Sequence, residues 1–93
     1  MKKDIDYYNN YIASYLKAYE IEYKSFDEGD FGSLEQVEFN NDKRGGNIDF
    51  WGLGQLGIFI WDYEKEAEIL NIFLNPDQEE EKKEYLDKLK ELL

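Results

Sequence analysis

Ninety-three residues, 42% apolar and 17% aromatic, make one domain with its own core and leave no room for a second. With neither cysteine nor histidine, the chain cannot use disulfides, thiol nucleophiles, Cys/His zinc sites or imidazole bases. A net charge of −11 repels nucleic acid and anionic lipid and attracts basic surfaces.

The charge is uneven. Residues 1–19 are net +1, 20–42 net −7, 43–61 net +1, and 62–76 and 77–93 net −3 each. The N-terminal "MKKDIDYYNN" lacks an apolar stretch after its lysines, so no signal peptide is expected. No apolar run approaches the ~18 residues of a membrane span. A cytoplasmic protein is the expectation.

Residues 4–24 predict a helix. Ile5, Tyr8, Ile12, Tyr15/Leu16, Tyr19 and Tyr23 recur at three- and four-residue steps, and Asp4 and Asp6 suit the first turn. "SFDEGDFG" (25–32) reads as a loop. "SLEQVEF" (33–39) reads as a strand near an edge. Val37, Phe39 and Glu35 fall on one side, with Leu34, Gln36 and Glu38 on the other. "NNDKRGG" (40–46) is a turn-rich connection, and "NIDFW" (47–51) alternates again. "LGIFIWDY" (56–63) is apolar on both sides, the pattern of a central strand, and places Trp61 in the core.

"EKEAE" (64–68) links it to "ILNIFL" (69–74), read as a fourth strand with a helix through 64–74 as the alternative. The C-terminal segment predicts a helix with Asn75 as N-cap, Pro76 in the first turn, acids early and lysines late. Tyr85, Leu86, Leu89, Leu92 and Leu93 form its apolar stripe. The expected fold is α+β: an N-terminal helix, a four-stranded antiparallel meander, and a C-terminal helix packed on the sheet.

"GLGQLG" (52–57) matches the glycine pattern of dinucleotide-binding folds. That pattern requires a helix to follow, whose N-terminus meets the pyrophosphate. Here "IFIWDY" follows, rich in β-branched and aromatic residues. The partner motifs of a kinase glycine loop are also missing. The glycines are read instead as a hairpin, with Gly57 making room for Trp51 or for a helix above the sheet. "DEGD" (27–30) lacks the ligand spacing of a calcium loop, and carboxylate pairs mean little in a chain with 22 acids. No catalytic residue, cofactor or metal site is expected.

Acid combined with aromatics is the more informative pattern. Phe26, Phe31, Trp51, Trp61 and Tyr63 lie in or near acidic segments, and interfaces favour aromatic anchors within a steering field. The stretch "FDEGDFGSLEQVEF…GGNIDFWGLGQLGIFIWDY…EILNIFLNP", with its flanking helices, resembles the small acidic immunity proteins of bacterial polymorphic-toxin and contact-dependent growth inhibition systems. The likeness lies in size, acidity, absence of catalytic residues and helix–sheet–helix layout. It implies a cytosolic protein that binds and blocks a cognate toxin domain, often a basic nuclease. No residue role carries over from it. From charge and aromaticity, the expected partner-binding residues are Asp27, Glu28, Asp30, Glu35 and Glu38, with Phe31 and Trp51 as anchors. The alternative is an adaptor or regulatory module whose acidity serves only solubility.

Overall fold

The N-terminal periodicity produces a helix shorter than the sequence suggests. The computed structural model describes residues 2–27 and 32–93. Helix α1 (Lys2–Tyr7) widens into a π turn over Tyr8–Ile12 and tightens into a 3₁₀ turn over Ala13–Leu16. Tyr8, Ile12 and Leu16, four apart, are all buried. At the 3.6-residue period such steps drift around the helix, and a wider turn reduces the drift.

Residues beyond Leu16 leave the helix. Glu20–Phe26 is strand β1, correcting the helix read through 24 and the loop read from 25. The cause is an ambiguity of period. Tyr19 and Tyr23 are four apart, which is one helical turn but also two strand repeats. In "EIEY" the alternation of acid and apolar residues settles the competition, because β1 pairs along its whole length with the next strand.

The sheet therefore has five strands rather than four. β2 is Leu34–Asn40, β3 Arg44–Trp51, β4 Leu56–Asp62 and β5 Ala67–Leu74. They form an antiparallel meander in chain order. Residues 69–74 thus take the strand reading. β2 is interior, flanked by β1 and β3. The turn before β3 is built by Asn41, whose Oδ1 accepts the Lys43 and Arg44 amides at 2.8 Å each. Asp62 does the same before β5, accepting from the amides of Glu64 (2.9 Å) and Lys65 (3.1 Å).

Helix α2 (Glu79–Leu92) starts later than expected. Asn75 does not cap it. The Asn75 amide instead donates to Gln78 Oε1 at 2.8 Å, and the Gln78 amide to the Asn75 carbonyl at 3.1 Å. This closes a turn that holds Pro76 ahead of the helix. At the other end, Arg44 Nη1 donates to the Leu92 carbonyl at 2.7 Å, a cation at the negative pole of the helix.

Both helices lie on one face of the sheet. Val37, Phe39, Ile48, Phe50, Leu56, Ile58, Ile60 and Leu74 point there and form one core with Tyr8, Ile12, Leu16, Leu86 and Leu89. Burial of such a side chain contributes roughly 1.5–3 kcal/mol. Polar ties join the helices across this layer. Lys82 Nζ donates to Asp4 Oδ2 at 3.1 Å, and Tyr7 Oη donates to Asp87 Oδ1 at 2.7 Å. No described helix is long and apolar enough to cross a membrane.

Candidate functional site

Alternation along each strand sends the other half of its residues to the opposite face. Among the described residues, no element packs across that face. The register places its side chains in rows. One row runs Lys24, Gln36, Asp49, Gly57, Phe73. The next runs Glu22, Glu38, Asn47, Phe59, Asn71, and a third runs Glu20, Asn40, Gly45, Trp61, Glu68. Phe26, Leu34 and Trp51 end the array. A bulge between Ile60 and Trp61 brings Trp61 opposite Glu68 rather than Ile69.

The face is divided by chemistry. Glu20, Glu22 and Glu38 lie on β1 and β2, and the aromatic rings crowd β4 and β5. Phe59 and Trp61 stack with centroids 6.5 Å apart. Trp51 tilts against Phe73 at 5.4 Å, and Phe73 is 48% exposed. The Tyr63 hydroxyl donates to Asn40 Oδ1 at the rim. Between the halves, Asp49 Oδ1 accepts from Gln36 Nε2 (2.8 Å) and Asn47 Nδ2 (3.1 Å), which holds the carboxylate on the open face.

The glycines of "GLGQLG" make the geometry possible. Gly54 has φ +103° in the β3–β4 turn, a conformation other residues rarely adopt, and its amide donates to the Trp51 carbonyl at 2.9 Å. At Gly57 an added Cβ would stand 3.2 Å from the Trp51 ring and 3.6 Å from Asp49 Oδ2. The missing side chain leaves room for the Trp51 indole over β4, beside the Asp49 carboxylate. A strand, not a helix, follows these glycines, so the phosphate-binding context is absent.

The cations are distributed unequally. Only two strand residues are basic, Lys24 and Arg44. Arg44 serves α2 on the covered face. Lys24 is on the open face but held by Glu38 at 2.8 Å and Glu22 at 3.5 Å. The hydrogen bond to Glu38 holds its ammonium above the ordinary lysine range. Lys82 is buried against Asp4, and Lys90 and Lys88 lie over the rings of Tyr15 and Tyr85, each 5.3 Å from the centroid.

The expected partner-binding residues do not form one patch. Glu38 and Trp51 share the open face. Glu35 points to the helix side and lines a groove with Ile5, Asp6, Asn9 and Tyr23. Asp27 is exposed at the end of β1, and Glu28, Asp30 and Phe31 lie outside the described residues. Trp61 is not core: it is half-buried on the open face, stacked on Phe59. Phe59, Phe73, Asp49 and Glu68 were missed. Their signal was available in the alternation, since Ile58 and Ile60 facing inward oblige Phe59 and Trp61 to face outward. Apolarity on both sides of β4 misled because it resembles coverage on both sides.

No family model matches the chain, nor does any curated protein or solved structure.

Proposed function

We propose that this chain is an immunity-type inhibitor that binds and neutralises a cognate basic toxin domain through an acidic surface. The observation supporting it is the division of charge between the faces of the sheet. The open face carries Glu20, Glu22, Glu38, Asp49 and Glu68 against Lys24, which two of those acids already hold. A surface of this kind steers a positively charged partner and rejects polyanions. Its aromatic half provides contact area for anchoring once the partner arrives. Such a protein needs no catalytic residue, because it acts by occupying the surface the toxin uses on its own target.

The test is a tagged pull-down from the source cell at low and high salt, followed by calorimetry with the purified partner. The protein encoded next to this one is the first candidate. The expected result is one basic toxin-like partner whose activity is lost in the complex. Charge reversal at Asp27, Glu28 and Asp30 separates the loop from the face. Slower association and a flatter salt dependence assign the loop to the interface, and unchanged binding leaves the open face alone. A single partner held equally at both salt concentrations, through an apolar contact, would instead support the adaptor reading.

A further inference from the structure

The two edges of the sheet differ in what they show to another strand. Among the described residues β1 pairs with β2 alone and β5 with β4 alone. Such an edge offers unpaired amides and carbonyls to a further strand. β5 carries Glu68 as its one charged residue, so no register of β5 against itself brings opposite charges together. β1 carries both signs, with Glu20, Glu22 and Lys24 alternating onto the open face. It also exposes rings that an acidic, solvated edge does not need. Tyr23 is 61% exposed on the helix side and Phe26 49% exposed on the open face. The exposure of Tyr23 shows that the helix layer leaves the middle of this edge uncovered.

We propose that β1 pairs antiparallel with β1 of a second copy of this chain, joining two five-stranded sheets into one. The strand is Glu20–Phe26, and Tyr23 is its middle residue. A two-fold axis through Tyr23 pairs the strand with itself over its full length. It sets Glu22 opposite the second copy's Lys24 and, by symmetry, Lys24 opposite the second copy's Glu22. Tyr23 faces Tyr23, Ile21 faces Ser25 and Glu20 faces Phe26, so no like charges stand opposite each other. Centring the pair on Glu22 or on Lys24 instead would set that charge against itself. Facing side chains have Cβ atoms about 5 Å apart, within reach of a Glu–Lys contact. An ammonium has three donors, and Glu38 at 2.8 Å and Glu22 at 3.5 Å engage two of them within the chain. The second copy's Glu22, whose side chain is 63% exposed, takes the third. Each copy's net charge of −11 opposes the approach, but at about 0.15 M salt charges more than about 8 Å apart are largely screened while the facing pairs are not. The inference goes beyond the inhibitor reading and does not depend on it.

The experiment is sedimentation equilibrium of the full chain at about 0.15 M salt, from about 10 µM to about 1 mM, the range of a small interface. The expected result is a monomer–dimer equilibrium, with the ¹⁵N amide signals of residues 20–26 moving as concentration rises. Lys24→Glu and Glu22→Lys each replace both attractive pairs by repulsive ones, and each is expected to weaken the dimer roughly ten- to hundredfold. The two variants change net charge in opposite directions. If overall repulsion alone controlled association, Glu22→Lys would therefore tighten the dimer. Mixed together, the two variants are expected to recover a dimer of one copy of each, because every glutamate at positions 22 and 24 of one then faces a lysine of the other. Circular dichroism and thermal unfolding verify that each variant folds. A wild-type chain that stays monomeric over the whole range overturns the proposal. So does a dimer whose moving signals lie at residues 67–74, or a mixture of the variants that associates no better than either one alone.

Discussion

Lys82 is the one buried lysine among the described residues, and the structure sets what its loss should cost. Its side chain is 4% exposed and that of Asp4 15%, with Nζ and Oδ2 3.1 Å apart. At that distance the attraction is about 5 kcal/mol for an effective dielectric near 20, before the desolvation of both charges is subtracted. Lys82→Met keeps most of the aliphatic stem and strands Asp4 in a largely dry site. The expected cost is about 3 kcal/mol, the low end for a broken buried pair because Asp4 keeps some contact with water. For a domain of this size that is a fall in Tm of roughly 15 °C. Asp4→Asn should cost about 2 kcal/mol, and the double variant less than the sum by about 2 kcal/mol. Urea unfolding followed by tryptophan fluorescence and circular dichroism measures all four corners of the cycle. A coupling below about 0.5 kcal/mol, the value of an exposed pair, would refute the reasoning.

The Tyr8 hydroxyl is buried without a well-formed hydrogen bond, so Tyr8→Phe should leave stability unchanged or raise it by about 1 kcal/mol, read from the same urea curves. Burial first, and the nearby Tyr23 hydroxyl second, push the Tyr8 ionisation above the ordinary tyrosine range. Its share of stability is therefore intact below the unfolded value of about 10 and declines as pH rises past it; unfolding at pH 8, 10 and 11 should show that decline, smaller in Tyr8→Phe. Gly54→Ala puts a side chain at φ +103° and against Pro76, so a loss of about 1–3 kcal/mol is expected by thermal melting. Gly57→Val should displace the Trp51 indole, visible as a shifted fluorescence maximum, while the β3–β4 amide pattern in NMR stays in register.

β2 and β3 were legible because "LEQVEF" and "NIDFW" alternate, and β4 because β-branched and aromatic residues fill "LGIFIWDY"; β5 followed from the short link before "ILNIFL", whose own pattern also allowed a helix. The start of α2 was less so: Asn75 and Pro76 look like a cap and a first turn, but Gln78 captures the Asn75 amide and turns the pair into a separate bend. β1 was hidden by four-residue spacings that fit either period. The candidate site was only half visible. Acidity and Trp51 pointed to a surface, yet which acids share it depends on strand parity. Glu35 and Glu38 are three apart and therefore face opposite ways. The pairing of Trp61 with Glu68 depends on a bulge that no residue in "WDYEKEAEIL" announces.

The ties from α1 to α2 span nearly the whole chain, from Asp4 to Lys82 and from Tyr7 to Asp87. The sheet is made of neighbours in sequence and needs no distant contact to form. The five strands can therefore pair before α2 docks, with Ile58, Ile60 and Leu74 not yet covered by Leu86 and Leu89. Until α2 docks, the chain exposes apolar surface on both sides of the sheet, and a chaperone or another copy of the chain can meet it there.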